Sequence, residues 1–436
     1  MKPTESTSSG FQFLIRTLHS RNYRLFFAGQ GISLVGTWMQ NVALSWLVYR
    51  MTHSAFLLGV VGFAGQIPTF FITPFAGVFV DRHNRHRLLL ITQTLAMIQA
   101  LVLAFLVLTN NIQIWQIIAL SIFLGMINSL DIPCRHAFVF ELVEKREDLG
   151  NAIALNSSMF NAARLIGPSV AGMLILVVGE GMCFLINGLS FIAVIIALYA
   201  IKVAPREVKK SGAAVWEELK QGVVYAFGFA PIRAILMLLA LMSLMGISYA
   251  ILMPVFATKV LHGSALTLGF LMSAAGFGAL IGAIYLAWRK SVVGLNQIIV
   301  YASFVFSVGL IAFALSRTLW LSLFMLVLTG FGFMVQSAAS NTILQTIVDD
   351  DKRGRVMSLF AMSFMGMVPF GSLIAGVLAS RFGAPNTLII GGLTCMIGAL
   401  LFARQLNSIK KLIRPIYVKK GIITEVAMGI QQTDLK

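Results

Sequence analysis

The feature that most restricts this chain is the recurrence of long, nearly charge-free apolar runs, broken by short loops that hold most of the Lys and Arg. A run needs ~20 apolar residues to cross a hydrocarbon core. Backbone polar groups there must be satisfied within helices or a closed barrel. Barrel strands would show ~10-residue alternating segments, whereas these runs are continuous and rich in Leu, Ile, Phe, Ala and Gly. Of the 436 residues 58% are hydrophobic and 11% charged, more apolar surface than a soluble domain could hide. The sequence predicts an all-α polytopic membrane protein with twelve transmembrane helices. The spans fall at 24–49, 56–80, 88–108, 114–137, 151–177, 180–201, 233–258, 264–288, 296–315, 319–342, 355–378 and 385–404.

Charge sets the orientation. Loops that share one side carry 28 of the 33 Lys and Arg, and the other side carries four, Arg50, Lys259, Arg317 and Arg381. That positive-inside bias places both termini in the cytoplasm. The net charge of +17 is then a topological device, and no nucleic-acid partner is expected. Cys134, Cys183 and Cys395 lie in apolar segments without metal-ligand spacing and read as small buried hydrophobes. No small-residue cleavage site closes the first apolar run, so that run is expected to act as its own insertion signal.

The chain repeats itself. Ser54-Ala55-x-x-Leu58-Gly59 recurs as Ser264-Ala265-x-x-Leu268-Gly269 at an offset of 210, which Gly36 and Gly246 share. Gly125 and Val143 match Gly330 and Val348 at 205, and Ala171-Gly172 matches Ala375-Gly376 at 204. A slowly drifting offset indicates a duplicated six-helix unit, one of the repeat plans of secondary transporters, with the substrate site between the halves. The expected organisation is a segment 1–23, a six-helix half 24–201, a linker 202–232, a second half 233–404 and a basic tail 405–436. In the linker, apolar residues at 215, 216, 219 and 223 predict an amphipathic helix on the membrane surface. The tail reads as a solvated or lipid-headgroup-touching extension.

Polar residues inside the spans are the candidates for mechanism. Arg164 lies near the middle of the fifth span, where a charge must face the bundle interior or a wet cavity. It shares a face with Asn161 and Pro168. Either it meets an anionic or carbonyl-rich group of a substrate, or neighbouring helices satisfy it and it serves packing. Asp131 lies in the cytoplasmic third of the fourth span, before Pro133 and Arg135. One reading makes it a proton carrier, and another makes it an ion pair with Arg85 or Arg135 that latches the cytoplasmic gate. Gln40, Asn41, Gln66, Asn187 and Gln336 are further candidates for the cavity. Gly167-Pro168-x-x-Ala171-Gly172 sets small residues one turn apart for close helix approach. Asp349, Asp350 and Asp351 precede the eleventh span, where carboxylates favour a helix start.

The charged turn Gly77-x-x-x-Asp81-Arg82-x-Asn84-Arg85 resembles the loop signature between helices 2 and 3 of the major facilitator superfamily. Gly167-Pro168 resembles that superfamily's helix 5 antiporter motif, with Ala171 where Gly is usual. Asn22-Tyr23-Arg24-Leu25-Phe26, Gln30 to Gln40, Asp131-x-Pro-x-Arg135 and Arg353-Gly354-Arg355 resemble the branch of enterobactin exporters and macrolide efflux pumps. The resemblance covers about residues 20–404. It implies two pseudo-symmetric six-helix halves in a bacterial cytoplasmic (inner) membrane, acting as a monomer. It further implies an exporter of a siderophore or amphipathic drug by alternating access, driven by the proton gradient with no cofactor. Asp81 would stabilise the outward-facing state by meeting the start of helix 11, with Arg85 and Asp131 extending the relay. An importer or symporter on the same fold is the alternative. A membrane-embedded enzyme has no catalytic motif in its favour.

Overall fold

The structure, a computed structural model, describes residues 16–143, 148–202, 215–289 and 291–423. Among the described residues the regular structure is helical throughout. Twelve rods follow one another. In the first half they are α1 (Arg21–Thr52), α2 (Ala55–Asp81), α3 (Arg85–Leu108), α4 (Ile114–Leu142), α5 (Leu149–Val178) and α6 (Glu180–Ala200). In the second they are α7 (Ala230–Val260), α8 (Ala265–Trp288), α9 (Leu295–Leu315), α10 (Leu319–Ile347), α11 (Arg353–Phe382) and α12 (Ala384–Lys419).

Eleven of these are long and apolar enough to cross a membrane. The exception is α1, which has the length at 32 residues. Its buried face carries Gln30, Ser33 and Gln40, and that polar stripe lowers its hydropathy. The helices also overrun the expected edges, because a helix does not stop where the hydrocarbon does. Thus α4 continues to Leu142 and α12 to Lys419.

The two halves share one plan. In the first, α1 packs on α5 and α6, α2 on α4, and α3 on α4 and α6; in the second, α7 packs on α11 and α12, α8 on α10, and α9 on α10 and α12. The repeat extends to single atoms. A methyl on Gly125 of α4 would overlap the Gly65 carbonyl of α2, and one on Gly330 of α10 the Ala275 carbonyl of α8. Gly179 and Gly383, both at φ +81°, make the same tight turn into α6 and α12, a conformation that side chains disfavour.

Between the halves, α2 meets α11 and α5 meets α8. A methyl on Gly59 would lie 2.8 Å from Gly376 Cα, and one on Gly269 3.2 Å from Gly172 Cα. These paired seams close the side poor in Lys and Arg. The α2–α11 seam runs inward as far as Phe70 and Phe370, whose rings are 5.2 Å apart. On the basic side the halves part: Gly77 of α2 and Gly354 of α11 both face open space. Helix α7 contains two π-helical turns, Met242–Gly246 and Phe256–Val260, and α11 contains one, Met362–Gly366. Their repeat mates α1 and α5 contain none.

The linker and tail depart from expectation. The linker helix, Val215–Gly228, docks on the start of α11, where a methyl on Gly222 would lie 3.0 Å from Arg355 Cβ. Tyr225 donates to Asp349 at 3.2 Å, Lys352 stands 4.6 Å from the Tyr225 ring, and burial together with Asp349 raises the phenol pKa. Of the expected apolar face, the side chains at 215, 216 and 219 lie outside the described residues, and Val223 is exposed. The tail is not a solvated strand. Residues 405–419 prolong α12, with Ile409, Ile413 and Tyr417 buried, because those three recur on one helical face.

The close approaches are testable. Gly125→Val and Gly330→Val should each destabilise the bundle by about 1–3 kcal/mol, the usual range for overpacking, seen as a lower Tm of the purified protein. An unchanged Tm would show that the helices are free to separate there.

Candidate functional site

The first half holds a connected network of buried amides and a carboxylate, where the buried polar groups of the second half are mostly serines and threonines. Asn187 Nδ2 donates to Gln40 Oε1 at 2.7 Å, and Gln40 Nε2 donates to Gln99 Oε1 at 3.1 Å. Towards the basic side, Asp131 Oδ1 accepts from Thr92 and from Gln93, each at 2.7 Å, and its other oxygen pairs with Arg135 one turn on. A cavity of about 160 Å³ runs between these groups, with Thr37, Asn41 and Asn128 also on its wall. Asp131 is 2% exposed. Gln93 Oε1 and Arg135 Nε are buried with no hydrogen bond inside the protein, leaving the cavity an acceptor and a donor for a small polar guest.

Of the two partners expected for Asp131 in an ion pair, the structure shows Arg135. All its partners lie on α3 and α4, so in this arrangement the pair ties helices within one half. Arg85 is engaged elsewhere, with Asp81 at 2.5 Å and Glu141 at 2.8 Å. Gln336 lies in the second half's core, not in the opening, and donates to Ser340 at 3.3 Å. At the repeat offset of 205 these two positions are the mates of Asp131 and Arg135, so the second half repeats the geometry without the charge. Gln66 is exposed on α2 and takes no part in the network.

The loop after α2 is compact. Asn84, the departure from the usual glycine, caps α3 by accepting from the Arg87 N–H at 3.0 Å, a favourable role for Asn. Asp81 is 58% exposed and its ion pair is with Arg85; Arg82 is exposed. With the halves parted on this side, α11 begins away from Asp81. The aspartates before α11 do not cap it: Lys352 is the N-cap, and Asp349 and Asp350 pair with Lys352 and Arg353.

Arg164 sits where the α5–α8 seam ends. Its guanidinium lies 5.8 Å from the Trp38 ring centre, and a methyl on Gly276 of α8 would lie 3.5 Å from its Cγ. Asn161 donates back to Ser157 of its own helix. The small residues of α5 divide their work. Gly167 receives Trp38 of α1 within the half, whereas Pro168 and Gly172 meet α8 across it. Ala171 is fully buried. Ser273 of α8 adds hydrogen bonds to Ser169 and to the Leu165 carbonyl, both 2.7 Å.

Sequence reasoning missed Thr92, Gln93, Gln99 and Glu141. The glutamines stand in an apolar run and could have been flagged by their rarity there. Glu141 fell outside because the fourth span was drawn to end at 137. One expectation follows for the buried pair. Arg135→Gln should cost about 3–5 kcal/mol by leaving a carboxylate unpaired in the interior, and Asp131→Asn combined with Arg135→Gln should cost less. Thermal unfolding of the purified variants measures both, and an additive double variant would refute the coupling.

Comparisons with known proteins agree with this architecture. The family model described as "Transmembrane secretion effector" matches residues 15–412. The staphyloferrin A transporter of Staphylococcus aureus is 26% identical over 386 residues, covering 87% of this chain and 95% of that protein. Macrolide efflux protein A of Streptococcus pyogenes is 22% identical, covering 90% and 98%. Among solved structures, a POT family transporter in complex with 5-aminolevulinic acid superposes with a TM-score of 0.71 at 12% identity, covering 89% of this chain and 97% of that one. A duplicated helical bundle of this form, matched along nearly its whole length, belongs to the transmembrane secretion effector family of major facilitator transporters.

Proposed function

We propose that the protein exports a small amphipathic molecule, a siderophore or a drug such as a macrolide, across a bacterial cytoplasmic membrane by alternating access coupled to proton antiport. The observation that carries this reading is the pair of seams. The halves touch through small residues on the side poor in Lys and Arg, and part on the basic side, which the charge bias assigns to the cytoplasm. A central site open to the cytoplasm is where an exporter takes up its cargo. Relatives named for a siderophore and for macrolide efflux support the direction.

For coupling, the first half offers one buried carboxylate beside a polar cavity. Proton uptake on Asp131 would neutralise it and loosen Arg135, and with it the α3–α4 tie; proton loss would restore both. Substrate binds between the halves, which reverse their opening by rocking about the seams, and the protein works as a monomer with both termini in the cytoplasm.

Mass spectrometry of medium and cell extract, with and without the gene under iron limitation, tests the cargo. A siderophore retained in deleted cells supports export, whereas identical profiles remove siderophores and leave macrolide accumulation to decide. Asp131→Asn should lose dependence on the pH gradient and retain substrate exchange. Full gradient-driven transport by that variant would rule the carboxylate out. Gly376→Leu should hold the α2–α11 seam apart, raising cysteine labelling at Phe63→Cys. Unchanged labelling would mean the seam is not the gate.

A further inference from the structure

Among the described residues, every ionised group in the interior but one has an opposite charge beside it. Asp131 pairs with Arg135, Arg85 with Asp81 and Glu141, and Glu180 with Arg50 at 2.7 Å. Arg164, midway along α5, makes no ion pair among the described residues. An unneutralised charge at that depth is costly, so its retention calls for a reason.

Its surroundings supply one. Residues of α1, α5 and α8, from both halves, converge on it at the inner end of the opening. Trp38 lies beneath the guanidinium, and Phe160 stands edge-on to Trp38 at 5.7 Å and is 44% exposed. The repeat mates of Arg164 and Trp38, at offsets of 204 and 210, are Val368 and Ser248. The cation and its aromatic wall therefore belong to one copy of the repeat only. Packing alone does not demand them, since the other half makes the equivalent helix contact, Gly371 on Ser248, without either. The one carboxylate deep in the bundle, Asp131, is withdrawn into the first half and ion-paired. Among the described residues the opening thus presents an unpaired positive charge beside aromatic surface, whereas the carboxylate on the cavity wall that Phe160 shares, Asp131, is already matched by Arg135.

We infer that the cargo is an organic anion, an amphipathic acid whose carboxylate is bound by Arg164 while its apolar body lies against Trp38 and Phe160. The planar guanidinium fork suits a carboxylate in two-point contact. This deepens the exporter reading and rests on it for the direction of transport. It also decides between the two cargo classes, favouring an acidic molecule over a basic drug.

The test uses the full chain in nanodiscs, with empty nanodiscs subtracted, and three probes: 1-pyrenebutyrate, its methyl ester and ethidium. Wild type should bind the acid about tenfold or more tighter than the ester, the scale of a charge-assisted contact, and bind ethidium more weakly than the acid. Arg164→Gln should erase the acid-over-ester preference, and Arg164→Lys should keep part of it. The wild-type ratio needs no variant, so a misfolded Arg164→Gln would leave the question answerable. Equal affinity for acid and ester, preference for ethidium, no binding of the acid, or an undiminished preference in a folded Arg164→Gln each overturns the inference. Acid binding without uptake into everted membrane vesicles would sink the exporter reading and leave the anion site standing. Gradient-driven uptake of ethidium with no acid preference would do the reverse.

Discussion

Charge inside hydrocarbon is costly unless it is matched, and the placement of a few ionised groups governs the arrangement of this bundle. Asp131 and Arg135 can be buried because they are one turn apart and because Thr92 and Gln93 fill the remaining acceptor sites of the carboxylate. The loop after α2 consumes its own charges through Asp81, Arg85 and Glu141. These pairings lie within the first half. The surfaces between the halves carry no ion pair among the described residues and rely on close backbone approach. Electrostatics ties helices within one half, and close packing joins the two.

The duplication makes departures from symmetry informative. Both halves use the same helix pairings and the same glycine contacts, so backbone geometry was preserved. Side-chain chemistry was not. Asp131–Arg135 faces Gln336–Ser340 across the pseudo-axis, Asn187 faces Gly391, and Gln40 faces Ala250. The buried ion pairs and the linked amides belong to the first half. The second half instead has the irregular helices, since α7 and α11 contain π-helical turns. Such turns concentrate at functional positions, here on the two helices that bound the opening from that side.

The sequence made much of the fold legible, for identifiable reasons. Long apolar runs and the drifting repeat follow from physics that acts residue by residue, so the helical membrane fold and its duplication could be read directly. Arg164, Gln40, Asn41 and Asn187 were recognisable because polar groups in hydrocarbon are rare. Partner choice was not legible. That Asp131 takes Arg135 and leaves Arg85 to Glu141 depends on how α3 and α4 are rotated, which no single run of sequence encodes. Gln336 misled for the same reason: its depth was right, but its helix turns it into the core. The tail misled because its Lys and Arg masked the spacing of Ile409, Ile413 and Tyr417.

The seams of small residues bear on leakage. Where Gly59 lies against Gly376 and Gly172 against Gly269, backbone touches backbone and no side chain stands between. Such a contact leaves no lane for a file of water molecules, so neither a hydrated ion nor a proton hopping along water has a path between α2 and α11 or between α5 and α8 at these points. A bulkier, softer contact would leave gaps as it flexed.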